Sequence, residues 1–249
     1  MDLELSGKVA LVTGSSRGIG RGIAQALHDE GCLVVLNGRD PETLFQSSQT
    51  VGGRCVVGDV CIFEQARIVV ETARKLIGKI DIVVANVGSG ASVPAGTENS
   101  EEWSRMLNLN LASAVNTISA SREALAESHG VALCVSSICG LSVLGAPLAY
   151  SAAKAALNSY VRGVSAVLAK DDVRVVGLAP GNVLFPGSTW EHKLREDQDA
   201  VKRMLDANVP LRRLGTMAEI ANVAVFLCSP KASFMTGTVV TVDGGQIRI

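Results

Sequence analysis

The sequence lacks both an excess of charge and a long apolar run. Its 23 basic residues nearly balance 24 acidic ones, so its composition gives no indication of a nucleic-acid or membrane-surface partner. No apolar run reaches the roughly 18 residues of a membrane-spanning helix. The first residues, MDLELSGK, lack the basic start of a secretory signal. We therefore expect a soluble protein of the cytoplasm.

Cysteine and histidine patterns typical of metal, disulfide or triad sites are also missing. Six cysteines are scattered with no C-x-x-C spacing, and we expect them to act as small hydrophobic residues. The three histidines are far apart in sequence, and none lies near a plausible nucleophile. The sequence predicts neither a metal site nor a hydrolase triad.

Strand-like and helix-like segments alternate along the whole chain. Apolar strand patterns occur at 8–13, 32–37, 54–59, 80–86, 131–137, 173–180 and 238–245. Helical periodicity separates them, most clearly at 63–77, 98–127, 150–170 and 218–227. Apolar strands separated by helices are typical of a parallel sheet covered on both faces. We predict an α/β fold, a doubly wound parallel sheet of about seven strands flanked by helices, in one domain over 1–249.

A glycine-rich turn follows the first predicted strand and leads into a helix. The stretch is TGSSRGIG, residues 13–20, with G-x-x-x-G-x-G spacing. Glycines let the backbone approach a pyrophosphate, and the helix N-terminus offers free N–H groups. Because it lies between a first strand and a helix, the turn predicts a dinucleotide site.

Both tyrosines of the chain lie in LAYSAAKAALNSY, residues 148–160. Helical i, i+4 spacing places Tyr150 and Lys154 on one face. An ammonium close to a phenol favours the phenolate, so we expect Lys154 to lower the pKa of Tyr150, as a proton donor near neutral pH requires. The alternative is a half-buried helix in which the tyrosine packs and the lysine snorkels.

Five motifs in order and spacing resemble the short-chain dehydrogenase/reductase family over essentially the whole chain. They are TGSSRGIG, ANVG at 85–88, Asn110, Ser137 and YSAAK. The family's single-domain Rossmann fold and its hydride transfer between a nicotinamide cofactor and a carbonyl or alcohol are therefore expected. The length and general sequence resemble 3-oxoacyl-thioester reductases, and ANVGSG with APGNVLFPGSTW faintly resembles a sugar-related subgroup. A non-enzymatic NADP-sensing regulator is a further alternative, although the catalytic residue types are all present.

The resemblance implies a role for each catalytic residue. Tyr150 would be the general acid or base, and Lys154 would lower its pKa and bind the nicotinamide ribose. Ser137 would hold the carbonyl oxygen; Ser136 is its rival, although strand alternation sends the two to opposite faces. Asn110 would support a water relay to the lysine. Asn108 competes with it, and either could simply be a polar residue bonded to the helix backbone.

The resemblance also implies a set of dinucleotide contacts along the carboxyl edge of the sheet. Asp59 would bind adenine beside Val60, or cap the next helix, or both. The family sequence N-N-A-G is replaced here by Ala85-Asn86-Val87-Gly88, of which two positions match. The full predicted set is Gly14, Ser16, Arg17, Gly18, Ile19, Gly20, Arg39, Asp59, Val60, Asn86, Gly88, Tyr150, Lys154, Pro180, Gly181 and Val183.

The end of the second strand bears on the choice between NADP(H) and NAD(H). An acidic residue there binds the ribose 2′-hydroxyl of NAD, whereas arginine accommodates a 2′-phosphate. The decisive position is Gly38, followed by Arg39, and Arg17 lies in the glycine loop. We predict NADP(H), with NAD(H) as the alternative, because a register shift of two would place Asp40 at that position. Before Pro41, Asp40 also suits a helix cap.

The segment from about 183 to 216 is the predicted substrate lid. Side chains that could line or close a pocket for a small carbonyl or alcohol substrate are Leu184, Phe185, Trp190, His192, Lys193 and Arg195. Alternatively, 191–206 is a solvated amphipathic helix. The resemblance implies a homotetramer or homodimer, built on apolar faces of 98–127 and 150–170.

Overall fold

The computed structural model describes residues 1–247, and within them seven parallel strands form one sheet. The strands lie in the order β3-β2-β1-β4-β5-β6-β9. Their bounds are β1 Val9–Val12, β2 Leu33–Gly38, β3 Arg54–Val57, β4 Ile82–Ala85, β5 Val131–Val135, β6 Arg174–Pro180 and β9 Val239–Val242; two short strands, β7 Val183–Leu184 and β8 Gly215–Thr216, pair separately. The predicted fold class is confirmed.

Helices connect the strands and cover the sheet. They are α1 Gly18–Asp29, α2 Pro41–Val51, α3 Phe63–Ile77, α4 Ser100–Leu107, α5 Ser113–Ser128, α6 Leu148–Leu168, α7 Thr189–Glu196, α8 Gln198–Asn208 and α9 Met217–Cys228. In the part of the chain that the structure describes, no helix combines the length and apolarity needed to cross a bilayer.

The core has two halves because strand side chains alternate between the faces of the sheet. Ala10 and Val12 of β1 pack with α1, α2 and α9, whereas Val9 and Leu11 pack with α3, α5 and α6. The central strands β1, β4, β5 and β6 are therefore buried on both faces, which explains their nearly continuous apolar sequence.

Two segments differ in detail from the sequence prediction. The helical stretch predicted over 98–127 is divided into α4 and α5 by a π-helical turn over Asn108–Ala112. The lid folds as two helices rather than one, because Asp197 ends α7 and its carboxylate caps α8 by accepting from the Ala200 amide at 2.8 Å.

The strand order reverses between β1 and β4, and this reversal positions the candidate site. Connections leave in opposite directions on the two sides of that point and open a crevice at the carboxyl ends of the strands. The glycine loop follows β1, and residues 86–90 follow β4, so the two segments face each other across the crevice.

Candidate active site

Four predicted catalytic side chains come from three segments at the carboxyl edge of the sheet. Ser137 follows β5, Tyr150 and Lys154 lie one turn apart in α6, and Asn110 lies in the π-helical turn. Ser137 and Tyr150 line the same cavity of about 670 Å³. The first turns of α6 pack on the segment after β5, which brings its phenol and ammonium to the end of that strand.

Lys154 is a buried cation, only 3 % exposed. Its Nζ donates to the carbonyl oxygen of Val135 at 2.9 Å. Burial disfavours the ammonium and lowers the pKa of Lys154 to about 8. A lysine held without a carboxylate partner in this position retains hydrogen-bonding capacity for another group in the crevice.

The phenol of Tyr150 contradicts one sequence expectation. Burial raises its pKa to about 12, and the nearby Ser137 hydroxyl lowers it only in part. Lys154 is not among the groups that shift this pKa, so the predicted lowering by the lysine is wrong. Desolvation of the phenolate outweighs the hydrogen bond with Ser137, and Tyr150 therefore remains a protonated hydrogen-bond donor at neutral pH.

The two adjacent serines, Ser136 and Ser137, differ in their hydrogen bonds and in the direction of their side chains. Ser136 points away from the cavity, and its hydroxyl donates to Asn158 Oδ1 on α6 at 2.5 Å. Ser137 lines the cavity beside Tyr150, and its oxygen accepts from the Cys139 amide at 3.2 Å. The structure thus favours Ser137, as the family spacing did, because only its hydroxyl is directed to the place where a substrate would lie.

Asn110 is fully buried, whereas its competitor Asn108 is exposed. Its side chain accepts from the Ser89 amide at 2.9 Å and donates to the Ser89 and Met106 carbonyls at 3.1 Å. A Cβ placed on Gly88 would lie 2.8 Å from Asn110 Oδ1 and 3.0 Å from Lys154 Nζ. Asn110 and Lys154 therefore converge on Gly88, and the π-helical turn orients the asparagine.

The glycine loop has the geometry of an anion-binding turn. Gly14 and Gly18 have φ of +61° and +57°, a conformation that favours glycine. A Cβ on Gly20 would lie 2.5 Å from the Gly14 carbonyl oxygen. The residue preceding α1, Arg17, makes no side-chain cap, so the first N–H groups of the helix are available to a pyrophosphate.

Asn86 fastens the glycine loop to the end of β4. Its Nδ2 donates to the carbonyl oxygens of Thr13 and Gly14 at 3.1 and 3.0 Å. Its backbone amide donates to Thr13 Oγ1 at 3.1 Å. Asn86 is thus a structural clamp on the predicted dinucleotide loop, and Thr13, which the sequence interpretation did not select, is its partner.

The end of β2 carries the residues that bear on the cofactor. Gly38 is the last residue of the strand, pairs with Val57 and lies next to Ser16 of the glycine loop. Asp40 caps α2: its carboxylate accepts from the Thr43 amide and hydroxyl at 2.8 and 2.6 Å, which lowers its pKa. Arg39 is exposed, 3.6 Å from the Asp59 carboxylate. The Asp40 carboxylate is therefore bound to the first turn of α2, and Arg39 is the charged residue that remains beside Gly38.

Asp59 does not cap α3, so that prediction is wrong. The helix begins at Phe63, and the Asp59 carboxylate accepts instead from the Cys61 amide at 3.0 Å, in a turn before it. Val60 is buried, and its carbonyl oxygen accepts from Asn116 Nδ2 at 3.1 Å. Both residues follow β3 beside β2, where an adenine-binding role remains a prediction.

Pro180 ends β6, and Gly181 comes too close to β9 for another residue type. A Cβ on Gly181 would lie 2.7 Å from the Asp243 Cα, and its amide donates to the Val242 carbonyl oxygen at 2.9 Å. Val183 and Ile19 line the main cavity, at the mouth of the crevice. The start of α1 and the segment after β6 therefore line the same cavity.

The lid contributes part of the cavity wall that was predicted from sequence. Phe185, Trp190 and Lys193 line the cavity, with the Lys193 Nζ 4.8 Å from the indole centroid. Leu184 and Arg195 line a separate outer groove, and His192 is exposed and borders neither. Phe185 also covers the glycine loop, since its ring would lie 3.0 Å from a Cβ on Gly18.

Several cavity residues were missed by the sequence interpretation. They lie in the loop after Ser137 and in three separate segments near the lid: Cys139, Val143, Leu144, Gly145, Ala146, Pro147, Asn182, Asn208 and Gln246. Only Asn182 had a local signal, because it directly follows Pro180-Gly181. Among residues 1–247, no group of three His, Cys, Asp or Glu side chains is placed to hold a metal ion.

Comparison with known proteins places this geometry among reductases. The family model for enoyl-(acyl carrier protein) reductases matches residues 14–246. A tropinone reductase homolog of Arabidopsis thaliana is 32 % identical, with 97 % of this chain and 93 % of the relative covered. The 3-oxoacyl-[acyl-carrier-protein] reductase FabG of Aquifex aeolicus is 31 % identical, with 99 % and 100 % covered.

A solved structure is similar over its full length. The L-sorbose reductase of Gluconobacter frateurii, complexed with NADPH and L-sorbose, has a TM-score of 0.93 and 30 % identity, with 100 % of each chain covered.

Proposed function

The chain belongs to the short-chain dehydrogenase/reductase family, and we propose that it transfers hydride between NADP(H) and a small carbonyl substrate with Tyr150 as the proton donor. It is an oxidoreductase that interconverts a ketone and a secondary alcohol. The observation that carries the assignment of residues is the convergence of Ser137, Tyr150, Lys154 and Asn110 beside the glycine loop.

The residues present fit a dinucleotide. The uncapped start of α1 and the glycines of its loop suit the pyrophosphate, with Ser16 and Ile19 alongside. Asp59 and Val60 would border the adenine, Lys154 the nicotinamide ribose, and Pro180, Gly181 and Val183 the carboxamide. When bound, NADPH supplies the hydride.

Tyr150 and Ser137 perform the proton chemistry at the substrate oxygen. As the carbonyl carbon gains hydride, its oxygen gains negative charge, and two hydroxyl donors aimed at it stabilise that charge. The raised pKa of Tyr150 keeps its proton in place until the oxygen becomes basic enough to take it. A protonated phenol suits the general acid that the reduction of a ketone requires.

Ser137→Ala is expected to lower kcat about 100-fold, since loss of one donor to a developing oxyanion typically costs that much. Ser136→Ala is the matched control, because it removes a buried hydrogen bond to Asn158 on the opposite side. It should cost about 1 kcal/mol of unfolding free energy and leave kcat within about twofold. Steady-state kinetics and urea denaturation of both variants measure the two effects, and a reversal of the pattern would exchange the assigned roles.

Arg39, with Arg17 nearby, supports a preference for the 2′-phosphate of NADP(H) over NAD(H). Arg39 projects from the end of β2, and its only salt bridge among the described residues is the 3.6 Å contact with Asp59. That contact is exposed and therefore weak. The guanidinium is free to bind a phosphate that lies beside Gly38.

Gly38→Asp is expected to lower the NADPH/NADH ratio of kcat/KM about 100-fold. A Cβ there would meet Leu44 Cδ1 at 3.4 Å and Ser16 at 3.5 Å, which are ordinary van der Waals contacts, so the added carbon fits. Its carboxylate would repel the 2′-phosphate, and a 100-fold change in the NADPH/NADH ratio corresponds to about 3 kcal/mol of repulsion. Gly38→Ala controls for the added carbon. An unchanged ratio in Gly38→Asp would place the 2′-position elsewhere.

The test of the proposed function is NADPH consumption by the purified chain with a panel of ketones that includes an acetoacetyl thioester and keto-sugars. We expect turnover of at least one ketone. Tight NADPH binding without turnover of any ketone would contradict the proposal and favour a nucleotide-sensing protein.

We further propose that residues 183–216 act as the substrate lid, and that the chain forms a homodimer or homotetramer in the cytoplasm. Phe234 is fully exposed, and all four residues of the edge strand β9 are only half-buried. Burial of such surface favours self-association. Light scattering coupled to gel filtration measures the state, and a monomer at micromolar concentration would contradict this part.

A further inference from the structure

Three amide side chains form one part of the cavity wall. Asn182 lies between β6 and β7, Asn208 ends α8, and Gln246 follows β9. They come together because β6 and β9 are neighbours and the lid folds over their ends. We call them the amide wall. Ser137 and Tyr150 line the same cavity, so a substrate reduced at Tyr150 lies within reach of this wall.

The amide wall retains unused hydrogen-bonding capacity. Asn182 Nδ2 donates to Gln246 Oε1 at 2.9 Å, and Asn208 Nδ2 donates to the Met204 carbonyl oxygen at 3.1 Å. Over residues 1–247, no protein partner occupies Asn182 Oδ1, Asn208 Oδ1 or the Gln246 Nε2 donor. The wall therefore presents two acceptors and one donor group, which is the pattern that hydroxyl groups, as both donors and acceptors, can satisfy.

The charge of the cavity is consistent with a hydroxylated ligand. No aspartate or glutamate lines it in the part of the chain that the structure describes, and Lys193 is its one charged side chain. The Lys193 ammonium is held 4.8 Å from the centroid of the Trp190 ring. An acyl chain packed on Asn182 and Gln246, which are already half-buried, would leave their unpaired amide groups without water, at a cost of about 1–3 kcal/mol apiece.

Gly181 and Val183, which are assigned to the carboxamide of the nicotinamide, line the same cavity as the amide wall. A substrate bound against this wall would therefore share the cavity with the nicotinamide. We propose that the substrate is a small polyhydroxylated ketone of the keto-sugar class, whose hydroxyl groups are bound by the amide wall while its carbonyl faces Tyr150. This inference rests on the proposed function and specifies its substrate.

The experiment compares three substrates with NADPH and the whole chain: a ketohexose, the straight-chain hexanone with the same number of carbons, and an acetoacetyl thioester. We expect kcat/KM for the ketohexose to exceed that for the hexanone about 100-fold or more, since a site built to bind hydroxyls rejects the analogue that lacks them. The thioester should be a poor substrate.

Gln246→Met keeps the length of the side chain and removes its amide. It should lower the ketohexose/hexanone ratio of kcat/KM about tenfold, mainly through KM, because a bond made equally in ground and transition states affects binding. Gln49→Met is the matched control, since Gln49 is exposed on α2, lies outside the lid and does not line the cavity. It should leave the ratio unchanged.

A kcat/KM for the hexanone or the thioester above that for the ketohexose would overturn this inference and leave the proposed function in place. An unaltered ketohexose/hexanone ratio of kcat/KM in Gln246→Met would do the same. Absence of turnover with every ketone, despite NADPH binding, would instead reject the proposed function and the inference with it.

Discussion

Replacing Tyr150 by phenylalanine is expected to lower kcat between about 100-fold and 10,000-fold, the usual contribution of a general acid. The variant removes one oxygen from the cavity and leaves the ring in place. Because Lys154 bonds the Val135 carbonyl oxygen rather than the phenol, its position should survive the change. The dissociation constant for NADPH should therefore stay within about threefold. Fluorescence titration gives the binding, and NADPH absorbance gives the turnover.

The other tyrosine of the chain supplies a matched control. Tyr160 lies farther along α6 and packs against the core half that contains α3 and α5, so it has no access to the cavity. Tyr160→Phe should leave kcat within about twofold. If Tyr150→Phe kept wild-type turnover, or if both variants lost it equally, the proton would have to come from another group.

The sheet could be predicted from sequence because its central strands are buried on both faces. Each reads as an uninterrupted apolar run, and the polar residue or glycine after it marks the edge. The prediction for β3 extended two residues too far. The strand ends at Val57, where its partner β2 ends at Gly38, and Gly58 then passes close to α3, where a Cβ would lie 2.5 Å from the Val69 side chain. Contacts of this kind join distant segments and leave no local pattern.

Choices between neighbouring residues required the structure, which places the members that the family spacing favoured, Ser137 and Asn110, at the cavity and at Gly88. Ser136 and Ser137 differ in sequence by one position, but only the fold shows that Asn158 engages the first. The direction of the Tyr150 pKa shift was wrong for the same reason. Sequence spacing reveals a nearby lysine, whereas desolvation depends on everything packed around the phenol.

The substrate end of the cavity was the least predictable part. Asn208 and Gln246 belong to segments that meet only when the lid folds over the edge of the sheet. Neither residue lies in a motif, and an isolated asparagine or glutamine outside a motif does not indicate a function in the sequence. In contrast, the glycine loop was predictable because its chemistry is contained in eight consecutive residues.

Replacing Lys154 by methionine should reduce activity and change the pH dependence of stability. Burial lowers the pKa of its ammonium from 10.5 to about 8. Between these values the unfolded chain keeps a proton that the folded chain has released, so the folded wild type gains stability as pH rises. Between about pH 7 and about pH 9.5 this gain amounts to about 2 kcal/mol, at about 1.4 kcal/mol per pKa unit. The stability that the wild type gains at high pH is lost again as the pH falls through about 8.

Lys154→Met cannot gain stability in this way. The difference in unfolding free energy, variant minus wild type, should therefore become about 2 kcal/mol more negative between about pH 7 and about pH 9.5. The loss of the hydrogen bond to Val135 lowers the stability of the variant equally at both pH values and does not affect this change. Tyr150, whose pKa of about 12 lies above this range, is common to both proteins. Urea denaturation at the two pH values measures the difference, with the exposed Lys170→Met as control.

The activity of the same variant separates the two roles of the lysine. We expect kcat to fall about 100-fold and the KM for NADPH to rise about tenfold, because the lysine would bind the ribose and take part in the water relay that Asn110 supports, although it does not shift the pKa of Tyr150. A stability difference independent of pH would show that the ammonium is solvated. Loss of kcat with unchanged nucleotide binding would remove Lys154 from the ribose contact and leave it only as the neighbour of Tyr150. The pH profile of stability and the nucleotide titration together therefore show whether the Lys154 ammonium is desolvated and whether it binds the ribose.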